Sequence, residues 1–469
     1  MASGGSSSAK VAVVGAGPCG LVAARELRSE GLQAVVFEKG DRLGGTWVYD
    51  PSIENLQLSV SFEQGRQGEE EEGVGVHVHS SIYHSLRTNV PRQIMGFLDY
   101  PFLKEGHGGD SRTFPRREEV LSYLDDFARD FQLVELIRFR TEVVRVERNH
   151  GSPNEWIVQS RSSCTRTNTS ESESKSKSEE LFTELFDAVV ICNGHTTEPR
   201  FAEIPGIDKW TGKQIHSHHY RIPEPFRDQI VVLIGNGPSA HDISREISEV
   251  SKEVHLASRS PNVKIGKLDN HCNIWNHSMI ECVFEDGKVA FQDGSSVFAD
   301  TIFHCTGYKY NFAFLETNGI VTVDDNRVGP LYKHVFPPCL APWLSFVGLP
   351  TMIVPFMTYG LQANWVAKVL SGKVLLPSEQ EMMNSVEELY RYMEATGRPK
   401  HYTHKFDKDQ SKYRNWLAAQ VGLPPIDDWV DQMAAVIYKF LTSDLDGYRD
   451  NFNGDYWIQQ FKSSSERKD

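Results

Sequence analysis

Residues Lys10–Gly40 read KVAVVGAGPCGLVAARELRSEGLQAVVFEKG, and this stretch decides the fold. Its first segment, Lys10–Val14, is a β-branched apolar run that predicts a buried strand. The spacing of apolar residues in Leu21–Glu30 predicts a helix, and Ala34–Phe37 predicts a second buried strand. A strand, a glycine-rich turn, a helix and a second strand in this order predict a βαβ unit that binds a dinucleotide.

The turn GAGPCG supplies the small residues that such a site requires. Gly15 allows the tight turn out of the strand, Gly17 lets a pyrophosphate approach the backbone, and Gly20 lets the helix pack close to the sheet. The N-terminus of the helix adds free N–H groups and the positive end of its dipole. Glu38 ends the second strand, where its carboxylate is placed to accept hydrogen bonds from an unphosphorylated adenosine ribose.

The segment Asp41–Trp47, DRLGGTW, decides between FAD and NAD, the two cofactors that an unphosphorylated ribose allows. In flavoproteins with two dinucleotide sites, a pair of glycines beside an aromatic residue lets the chain pass close to the flavin end. We therefore expect FAD at this first site.

A second copy of the unit lies in QIVVLIGNGPSAHDISREISEVSKEVHLASRS, residues 229–260. Ile230–Ile234 has the composition of its first strand, and Pro238–Val250 has the apolar spacing of its helix. Alanine at the third glycine position adds one methyl group and is tolerated where the helix meets the sheet. The turn GNGPSA comprises Gly235, Gly237 and, in place of the third glycine, Ala240.

The second strand of this unit ends in Ser258 and Arg259 rather than in an acid. A carboxylate there would repel a 2′-phosphate, whereas a hydroxyl and a guanidinium bind one through charge-assisted hydrogen bonds. We therefore expect NADPH at the second site. One site for FAD and one for NADPH imply hydride transfer from the nicotinamide to the flavin.

The cysteines indicate where the electrons go next. The chain has 7 cysteines, which are scattered and form no CxxC pair. This pattern fits a reducing compartment and argues against a structural zinc or a disulfide reductase. We therefore expect dioxygen to accept the electrons.

Composition narrows the remaining classes of function. A chain of 469 residues predicts two or three domains, at roughly 100–200 residues for each. The net charge of −14 argues against nucleic acid or an anionic membrane as the main partner. The termini, MASGGSSSAK and QQFKSSSERKD, are polar, and no apolar run is long enough to span a bilayer. We expect a soluble cytosolic (cytoplasmic) protein with a large core.

Seven motifs in order make the chain resemble the class B flavin-dependent monooxygenases, and within them the flavin-containing monooxygenases. They are GAGPCG, GGTW, SLRTN, ICNGHTTEP, WTGKQIHSHHY, GNGPSA and HCTGYKY, and they extend over nearly the whole chain. The fifth motif matches the family signature FxGxxxHxxx(Y/F), with Trp210 at the first position, then Gly212, His216 and Tyr220. The related Baeyer–Villiger enzymes carry tryptophan at the last position, so Tyr220 implies oxygenation of a heteroatom.

The resemblance implies an α/β fold of two Rossmann-type dinucleotide-binding domains, with the NADPH domain inserted into the FAD domain. The predicted boundaries are 1–197 for the first part of the FAD domain, 198–306 for the NADPH domain, and 307–469 for the second part of the FAD domain with C-terminal helices. Within the first part, the Ser-rich, low-complexity stretch 160–180 predicts a solvated hairpin insertion, and Glu63–Gly75 predicts an acidic loop.

Three histidines of the fifth motif, His216, His218 and His219, raise the question of a metal site. No acid or cysteine lies near His216 and His219 in the sequence, so we do not expect a metal there. In the family this segment is thought to link the two domains and to control the placement of NADP. Histidines that hold the linker by hydrogen bonds and histidines that contact NADPH both remain open.

The resemblance also extends both predicted cofactor sites and names one catalytic residue. Asn89, in SLRTN, matches the asparagine that lies against the flavin in the family, where an amide supports the oxygenated flavin without offering an acidic proton. The FAD site then comprises Gly15, Gly17, Pro18, Cys19, Gly20, Glu38, Lys39, Gly45, Thr46, Trp47, Leu86, Thr88, Asn89, Val143, Gly348 and Gln362. The NADPH site comprises Tyr220, Gly235, Asn236, Gly237, Pro238, Ser239, Ala240, Ser258, Arg259 and Thr306.

The sequence is similar to the plant branch of S-oxygenating enzymes, which includes glucosinolate S-oxygenases and S-alkyl cysteine S-oxygenases. The resemblance implies that a C4a-hydroperoxyflavin transfers oxygen to a thioether and gives a sulfoxide. Where much of this branch reads GNxxSG, the chain reads GNGPSA, so the identity of the thioether stays open. Other possible activities are N-hydroxylation of an amine or amino acid, oxidative decarboxylation of an auxin-type 2-oxo acid, and NADPH oxidase activity. A flavoprotein without catalytic activity also remains an alternative.

Overall fold

The computed structural model describes residues 8–51, 53–54, 80–102, 109–149, 151–152, 155–162, 180–261, 263–442 and 446–465. These residues divide into two compact units. The first unit takes its residues from Met1–Val48, Val90–His195 and Tyr310–Asp469, and the second from Tyr49–Asn89 and Thr196–Lys309. Among all described residues, no helix has the length and the apolar character needed to cross a membrane.

The strands and helices of the described residues are numbered along the chain. The strands are β1 (Lys10–Val14), β2 (Gln33–Phe37), β3 (Ile137–Arg138), β4 (Thr141–Arg148), β5 (Trp156–Ser162), β6 (Glu180–Phe186), β7 (Ala188–Ile191), β8 (Glu198–Pro199), β9 (Lys213–His216), β10 (Ile230–Ile234), β11 (Glu253–Ser258), β12 (Gly266–Lys267), β13 (Ile274–Ser278), β14 (Ile280–Val283), β15 (Lys288–Phe291), β16 (Ser296–Phe298), β17 (Thr301–His304), β18 (Tyr308–Lys309), β19 (Leu315–Glu316), β20 (Thr322–Asp324), β21 (Arg327–Gly329) and β22 (Leu344–Phe346). The α-helices are α1 (Pro18–Ser29), α2 (Arg92–Met95), α3 (Arg117–Asp130), α4 (Pro238–Ser248), α5 (Pro355–Leu370), α6 (Glu379–Ala395), α7 (Gln410–Gln420), α8 (Asp428–Thr442), α9 (Tyr448–Asn451) and α10 (Gly454–Ser465).

The first unit is built on a parallel sheet with the strand order β22-β7-β1-β2-β3. An antiparallel hairpin of β5 and β6 extends a second sheet, which has the order β19-β4-β5-β6. The central strand β1 has four consecutive buried residues, as expected for a strand covered on both faces. One of those faces carries α1 and α5, whose apolar side chains share a hydrophobic cluster with Val11 and Val13.

The second unit repeats this plan. Its sheet has the order β12-β13-β11-β10-β17-β9, in which only the β12–β13 pair is antiparallel. The three-stranded antiparallel sheet β14-β15-β16 precedes β17 in the chain, as the antiparallel strands β4 to β6 precede β7 in the first unit. The predicted α/β fold with two Rossmann-type units is therefore confirmed.

Both predicted βαβ units form, with small shifts at the helix ends. α1 begins at Pro18, earlier than the predicted Leu21, because proline is well suited to the first helical position, where its missing N–H would have no helical partner. α4 begins at Pro238 as predicted and ends at Ser248, two residues short of the predicted Val250.

The largest difference from the predicted boundaries concerns the described residues 49–51, 53–54 and 80–89, which were assigned to the first part of the FAD domain and group with the second unit instead. Hydrogen bonds explain the grouping. Nη2 of Arg221 donates to the carbonyl oxygen of Ser80 at 2.6 Å, and the hydroxyl of Tyr83 donates to the carboxylate of Asp242 at 3.1 Å. These partners are distant in sequence, so spacing along the chain gave no sign of them.

The predicted Ser-rich hairpin insertion at 160–180 is too wide at both ends. β5 continues through Ser162 and pairs there with Glu180, the first residue of β6, in an antiparallel register. The rest of the insertion, 163–179, lies outside the described residues, as does the predicted acidic loop Glu63–Gly75.

Candidate functional site

The first glycine turn is closed by contacts between backbone atoms. Gly15 has a left-handed φ of +103°, and a Cβ there would lie 2.7 Å from the carbonyl oxygen of Cys192. A Cβ on Gly20 would lie 1.8 Å from the carbonyl oxygen of Gly15. Both glycines are therefore required sterically, and α1 starts close against the carboxyl end of β1. No side chain caps the N-terminus of α1, which suits the binding of a phosphate.

The predicted pair of glycines after β2 meets this turn directly. Gly44 and Gly45 have left-handed φ values of +118° and +55°. A Cβ on Gly45 would lie 2.9 Å from Cα of Gly17, so Gly45 has no room for a side chain, whereas a Cβ on Gly17 would lie 3.5 Å from Cα of Gly45, an ordinary van der Waals contact. Two backbones without side chains form the kind of cradle that a pyrophosphate needs, and in this respect the residues fit FAD.

Glu38 directly follows β2, and its side chain is largely buried. Its Oε2 accepts a hydrogen bond from the backbone N–H of Ala16 at 2.8 Å, and its Oε1 accepts one from Gly40 at 2.7 Å. A carboxylate has about four lone-pair positions, so each oxygen still has capacity for a ribose hydroxyl. The carboxylate thus holds the glycine turn and remains suited to its predicted role.

The other residues predicted to contact FAD lie in different environments. In the first unit, Pro18 and Cys19 begin α1, Lys39 is exposed beyond β2, and Thr46 and Trp47 are half-buried. Val143 is buried in the hydrophobic cluster that β4 forms, so most of its side chain is committed to packing. Three further residues, Leu86, Thr88 and Asn89, belong to the second unit, whereas Gly348 and Gln362 belong to the first.

Gln362 differs from its predicted role as a direct FAD contact. Its side chain on α5 is 0% exposed. Its Oε1 accepts a hydrogen bond from the backbone N–H of Gly348 at 3.0 Å, and its Nε2 donates to the hydroxyl of Tyr413 at 2.8 Å. A side chain with no accessible surface cannot touch a cofactor, so any effect of Gln362 on FAD acts through Gly348.

The second glycine turn has the same construction as the first. Gly235 has a φ of +134°, and a Cβ there would lie 2.6 Å from the carbonyl oxygen of Cys305, which follows β17 as Cys192 follows β7. A Cβ on Gly237 would meet nothing within 4 Å. The protein itself leaves this position open, as close approach of a pyrophosphate requires. Ala240 is buried, whereas the rest of the turn is exposed, namely Asn236, Gly237, Pro238 and Ser239.

Ser258 and Arg259 lie at the carboxyl end of β11, as predicted for contacts to a 2′-phosphate. The hydroxyl of Ser258 is largely buried and accepts a hydrogen bond from the backbone N–H of Ser260 at 3.1 Å. The side chain of Arg259 is exposed. Thr306 follows β17, and its hydroxyl donates to the carbonyl oxygen of Arg200. Thr306 is therefore tied into the second unit, while Arg259 projects from it.

Tyr220 differs from its predicted role as an NADPH contact. Its side chain is 0% exposed, and its ring packs in the core of the second unit against Tyr83, Phe226 and Phe303, with centroid distances of 5.5 to 6.0 Å. Burial raises the pKa of the Tyr220 phenol. An aromatic residue at this motif position therefore builds the core of the unit, and its contact with a cofactor is excluded in this conformation.

His216, the motif histidine, makes its hydrogen bonds within the second unit. Its Nδ1 accepts from the backbone N–H of His218 at 3.1 Å, and its Nε2 donates to the carbonyl oxygen of Gly307 at 3.0 Å. This pattern fits a neutral imidazole with the proton on Nε2. Across the described ranges, no group of three or more His, Cys, Asp or Glu side chains is arranged to hold a metal ion. The ring of His216 thus fastens its segment to the strand that follows Thr306.

Acid is expected to destabilise the chain through two fully buried histidines. Burial lowers the pKa of His216 to about 3 and that of His304 to about 4, from an ordinary value of 6.5. The unfolded chain takes up these protons more readily, so the stabilisation is complete above pH 6.5 and is lost as the pH falls towards the folded-state values. Acidification from pH 8 to pH 5 should therefore lower the free energy of unfolding by about 2 kcal/mol for each of the two histidines. Urea unfolding at both pH values measures this loss.

The variant His216→Asn separates this effect from general acid sensitivity. Asparagine does not titrate, and its amide oxygen can still accept from the N–H of His218. The variant should be less stable than the wild type at pH 8 and should lose about 2 kcal/mol less on acidification. An unchanged difference between the two pH values would show that His216 does not contribute to the acid response.

Sequence reasoning missed several residues that shape these sites. Arg221 follows Tyr220 and is 0% exposed, and its guanidinium donates to the carbonyl oxygens of His218 and Ser80. A charged residue directly after the signature motif was the only sign available in the sequence. His195 and Tyr413, which lie near Gly348 in the first unit, carried no sign that related them to one another.

Family comparisons agree with this construction. The family model described as flavin-binding monooxygenase-like matches residues 67–284 and 262–427. A second model, described as an NAD(P)-binding Rossmann-like domain, matches residues 13–64, which contain the first glycine turn. Together the two models cover both glycine turns and the histidine-containing motif.

Relatives of known name match over nearly their full length. Flavin-containing monooxygenase FMO GS-OX5 of Arabidopsis thaliana is 52% identical over 455 residues, which is 96% of this chain and 93% of that protein. Flavin-containing monooxygenase FMO GS-OX-like 2 of the same plant is 50% identical over 458 residues, with the same coverage of 96% and 93%. Among solved structures, S-allyl-L-cysteine S-oxygenase from Allium sativum is 49% identical, with a TM-score of 0.86 over 98% of this chain and 99% of that one.

Proposed function

This chain belongs to the flavin-binding monooxygenase-like family, and from that membership we propose that it oxidises a small thioether to a sulfoxide. It is a flavin-containing monooxygenase that uses FAD and NADPH. The proposal concerns the substrate. It places the chain with the S-oxygenating members of the family, and it takes an S-alkyl cysteine or a similarly small thioether as the preferred substrate.

One observation carries the proposal. S-allyl-L-cysteine S-oxygenase shares 49% of its sequence with this chain over 98% of the chain's length, at a TM-score of 0.86. At this level of similarity the backbones of the two proteins differ little, so we expect this chain also to have a pocket for a small sulfur compound. A Tyr at position 220, rather than the tryptophan of the Baeyer–Villiger enzymes, also favours a heteroatom over a ketone.

The cofactor sites divide the work between the two units. In the first unit, the glycine turn at Gly15, Gly17 and Gly20 would hold the pyrophosphate of FAD, and Glu38 would hold the ribose. In the second unit, the exposed turn at Gly237 and the guanidinium of Arg259 would hold NADPH. When bound, FAD supplies hydride acceptance from NADPH and the reaction with dioxygen.

The proposed reaction balances without a protein acid or base. One oxygen atom of O2 forms a new S–O bond with a lone pair of the sulfur, and the other leaves as water. NADPH supplies two electrons and one proton, and solvent supplies the second proton. The protein therefore has to orient the cofactors and the sulfur and keep water away from the reacting atoms.

The proposal is tested by offering the purified holoenzyme S-allyl-L-cysteine, a tertiary amine and an indole 2-oxo acid, each with NADPH and dioxygen. We expect the thioether to gain one oxygen atom at sulfur, read by mass spectrometry, with an NADPH-to-product ratio near one. Preferential formation of an N-oxide or of a decarboxylated acid would replace the proposed substrate class. NADPH consumption that yields only hydrogen peroxide with all three compounds would point to an oxidase.

Arg259→Ala should raise the Michaelis constant for NADPH and leave that for NADH nearly unchanged. The variant removes a charge-assisted contact to the 2′-phosphate, which is worth roughly 1.5–3 kcal/mol, or about 10- to 150-fold. Steady-state kinetics with both cofactors measure the ratio. Arg227→Ala is the matched control, because Arg227 is also exposed but precedes β10 at the amino end of the sheet. An equal rise for both cofactors in Arg259→Ala would remove Arg259 from the 2′-phosphate site.

A further inference from the structure

The loop that follows β22 meets the first glycine turn at Gly348. Gly348 has a left-handed φ of +96°, and a Cβ there would lie 2.3 Å from the sulfur of Cys19. Cys19 is the second residue of α1, whose N-terminus is the expected site for the pyrophosphate of FAD. The position of the Gly348 peptide therefore bears directly on the geometry of the phosphate turn.

The N–H of Gly348 is held from α5. It donates to Oε1 of Gln362 at 3.0 Å, and the amide of Gln362 donates in turn to the hydroxyl of Tyr413 at 2.8 Å. That hydroxyl donates to the carbonyl oxygen of Lys333 at 2.8 Å. This directed chain fixes which end of the Gln362 amide faces Gly348. Gln362 is 0% exposed and Tyr413 is 7% exposed, so neither side chain has a substantial surface for a ligand.

The carbonyl oxygen of Gly348 is held from the other side by His195. Since a carbonyl only accepts, Nδ1 of His195 carries the proton and donates at 3.2 Å. Burial lowers the pKa of His195, which favours the neutral ring. The next peptide is held in a similar way, because the hydroxyl of Tyr310 donates to the carbonyl oxygen of Leu349. Side chains, rather than a neighbouring strand, thus fix this part of the loop.

We propose that Gln362 and His195 are positioning residues for FAD. Together they form a clamp, because they bind the N–H and the carbonyl oxygen of Gly348 and hold this peptide against Cys19. Tyr413 completes the clamp by orienting the amide of Gln362. The clamp sets the distance between the loop and the N-terminus of α1, and with it the shape of the cradle for the pyrophosphate. Loosening it weakens FAD binding, although Gln362 and Tyr413 have almost no surface on which a cofactor could bind. The inference depends on the use of FAD and is independent of the substrate.

Two isosteric variants test the clamp in the full-length holoenzyme. Gln362→Met removes both hydrogen bonds of the amide at similar volume, and Tyr413→Phe removes only the hydroxyl. The matched control is Thr301→Val, which deletes a buried hydroxyl that donates to Oε1 of Gln229 at 2.9 Å in the second unit. The measurements are the dissociation constant of FAD, from flavin released on dilution, and the rise in melting temperature on adding excess FAD.

The clamp predicts a graded loss of FAD affinity. We expect Tyr413→Phe to weaken FAD about 10-fold, the equivalent of one hydrogen bond, and Gln362→Met to weaken it more. The rise in melting temperature with FAD should shrink in both, whereas Thr301→Val should lower the melting temperature equally with and without FAD. If both clamp variants lower the melting temperature equally with and without FAD, as expected for Thr301→Val, these side chains contribute only to core packing. That result would overturn the proposal. If Gln362→Met does not fold, Tyr413→Phe decides alone.

His195 provides a rescue test. The amide nitrogen of asparagine can take the place of Nδ1, so His195→Asn should keep the bond to Gly348 while His195→Ala loses it. We expect FAD to dissociate about 10-fold more readily from the alanine variant and within about 3-fold of wild type from the asparagine variant. Equal loss in both variants would mean that the imidazole ring itself, and not its hydrogen bond, matters to FAD.

Discussion

Gly20→Ala is expected to yield a chain that no longer retains FAD. A Cβ at this position would lie 1.8 Å from the carbonyl oxygen of Gly15, well inside van der Waals contact with a backbone atom. α1 would have to move away from β1 and would carry its N-terminus out of the phosphate position. Overpacking of this kind costs up to about 3 kcal/mol, which corresponds to about 100-fold weaker binding. Flavin absorbance that remains with the protein after gel filtration measures the loss.

Gly237→Ala is the matched control, because its Cβ would meet nothing within 4 Å. This variant should keep FAD, and any effect should fall on NADPH, whose pyrophosphate would approach this position. The second turn already contains alanine at its third position, Ala240, so a glycine turn is able to relax around one methyl group. Full retention of FAD in Gly20→Ala would mean that the first turn relaxes in the same way.

Asn89→Ala is expected to separate NADPH consumption from product formation. The family resemblance assigns Asn89 to the flavin, where an amide offers hydrogen bonds without an acidic proton. Alanine would remove those bonds and leave space for water beside the reacting oxygen. We expect NADPH oxidation within a few-fold of wild type, while the sulfoxide formed per NADPH falls by about 10- to 100-fold, a loss of roughly 1.4–2.8 kcal/mol.

The measurement is hydrogen peroxide released per NADPH, taken beside sulfoxide yield. Asn89→Asp gives a matched comparison, because the carboxylate has the shape of the amide but loses its N–H donors and adds a charge. It should release peroxide as the alanine variant does. If both variants form as much sulfoxide per NADPH as the wild type, Asn89 is not a catalytic residue and has only a structural role in its own unit.

Local features of the sequence predicted the two glycine turns and their helices well. Each turn is a short motif, so Gly15 and Gly235 were identifiable from their spacing alone. The carbonyl oxygens that a side chain there would meet belong to Cys192 and Cys305, which are distant in the sequence. The same reasoning found that β11 ends at Ser258 without an acid. The predictions that Tyr220 contacts NADPH and that Gln362 contacts FAD, which came from the family resemblance, were wrong. Both are fully buried, since the packing around them comes from segments far away in the chain.

The sequence by itself determined the family, the pair of cofactors and the order of the two dinucleotide units, because each rests on a short motif whose residues act together within one turn or strand end. The tertiary structure alone decided which unit residues 80–89 join, what the signature aromatic at Tyr220 packs against, and which side chains hold the Gly348 peptide. The last of these depends on hydrogen bonds from His195 and Gln362, which come from separate elements of the first unit. Such contacts depend on how distant segments pack, and packing leaves no periodic trace in the order of the residues.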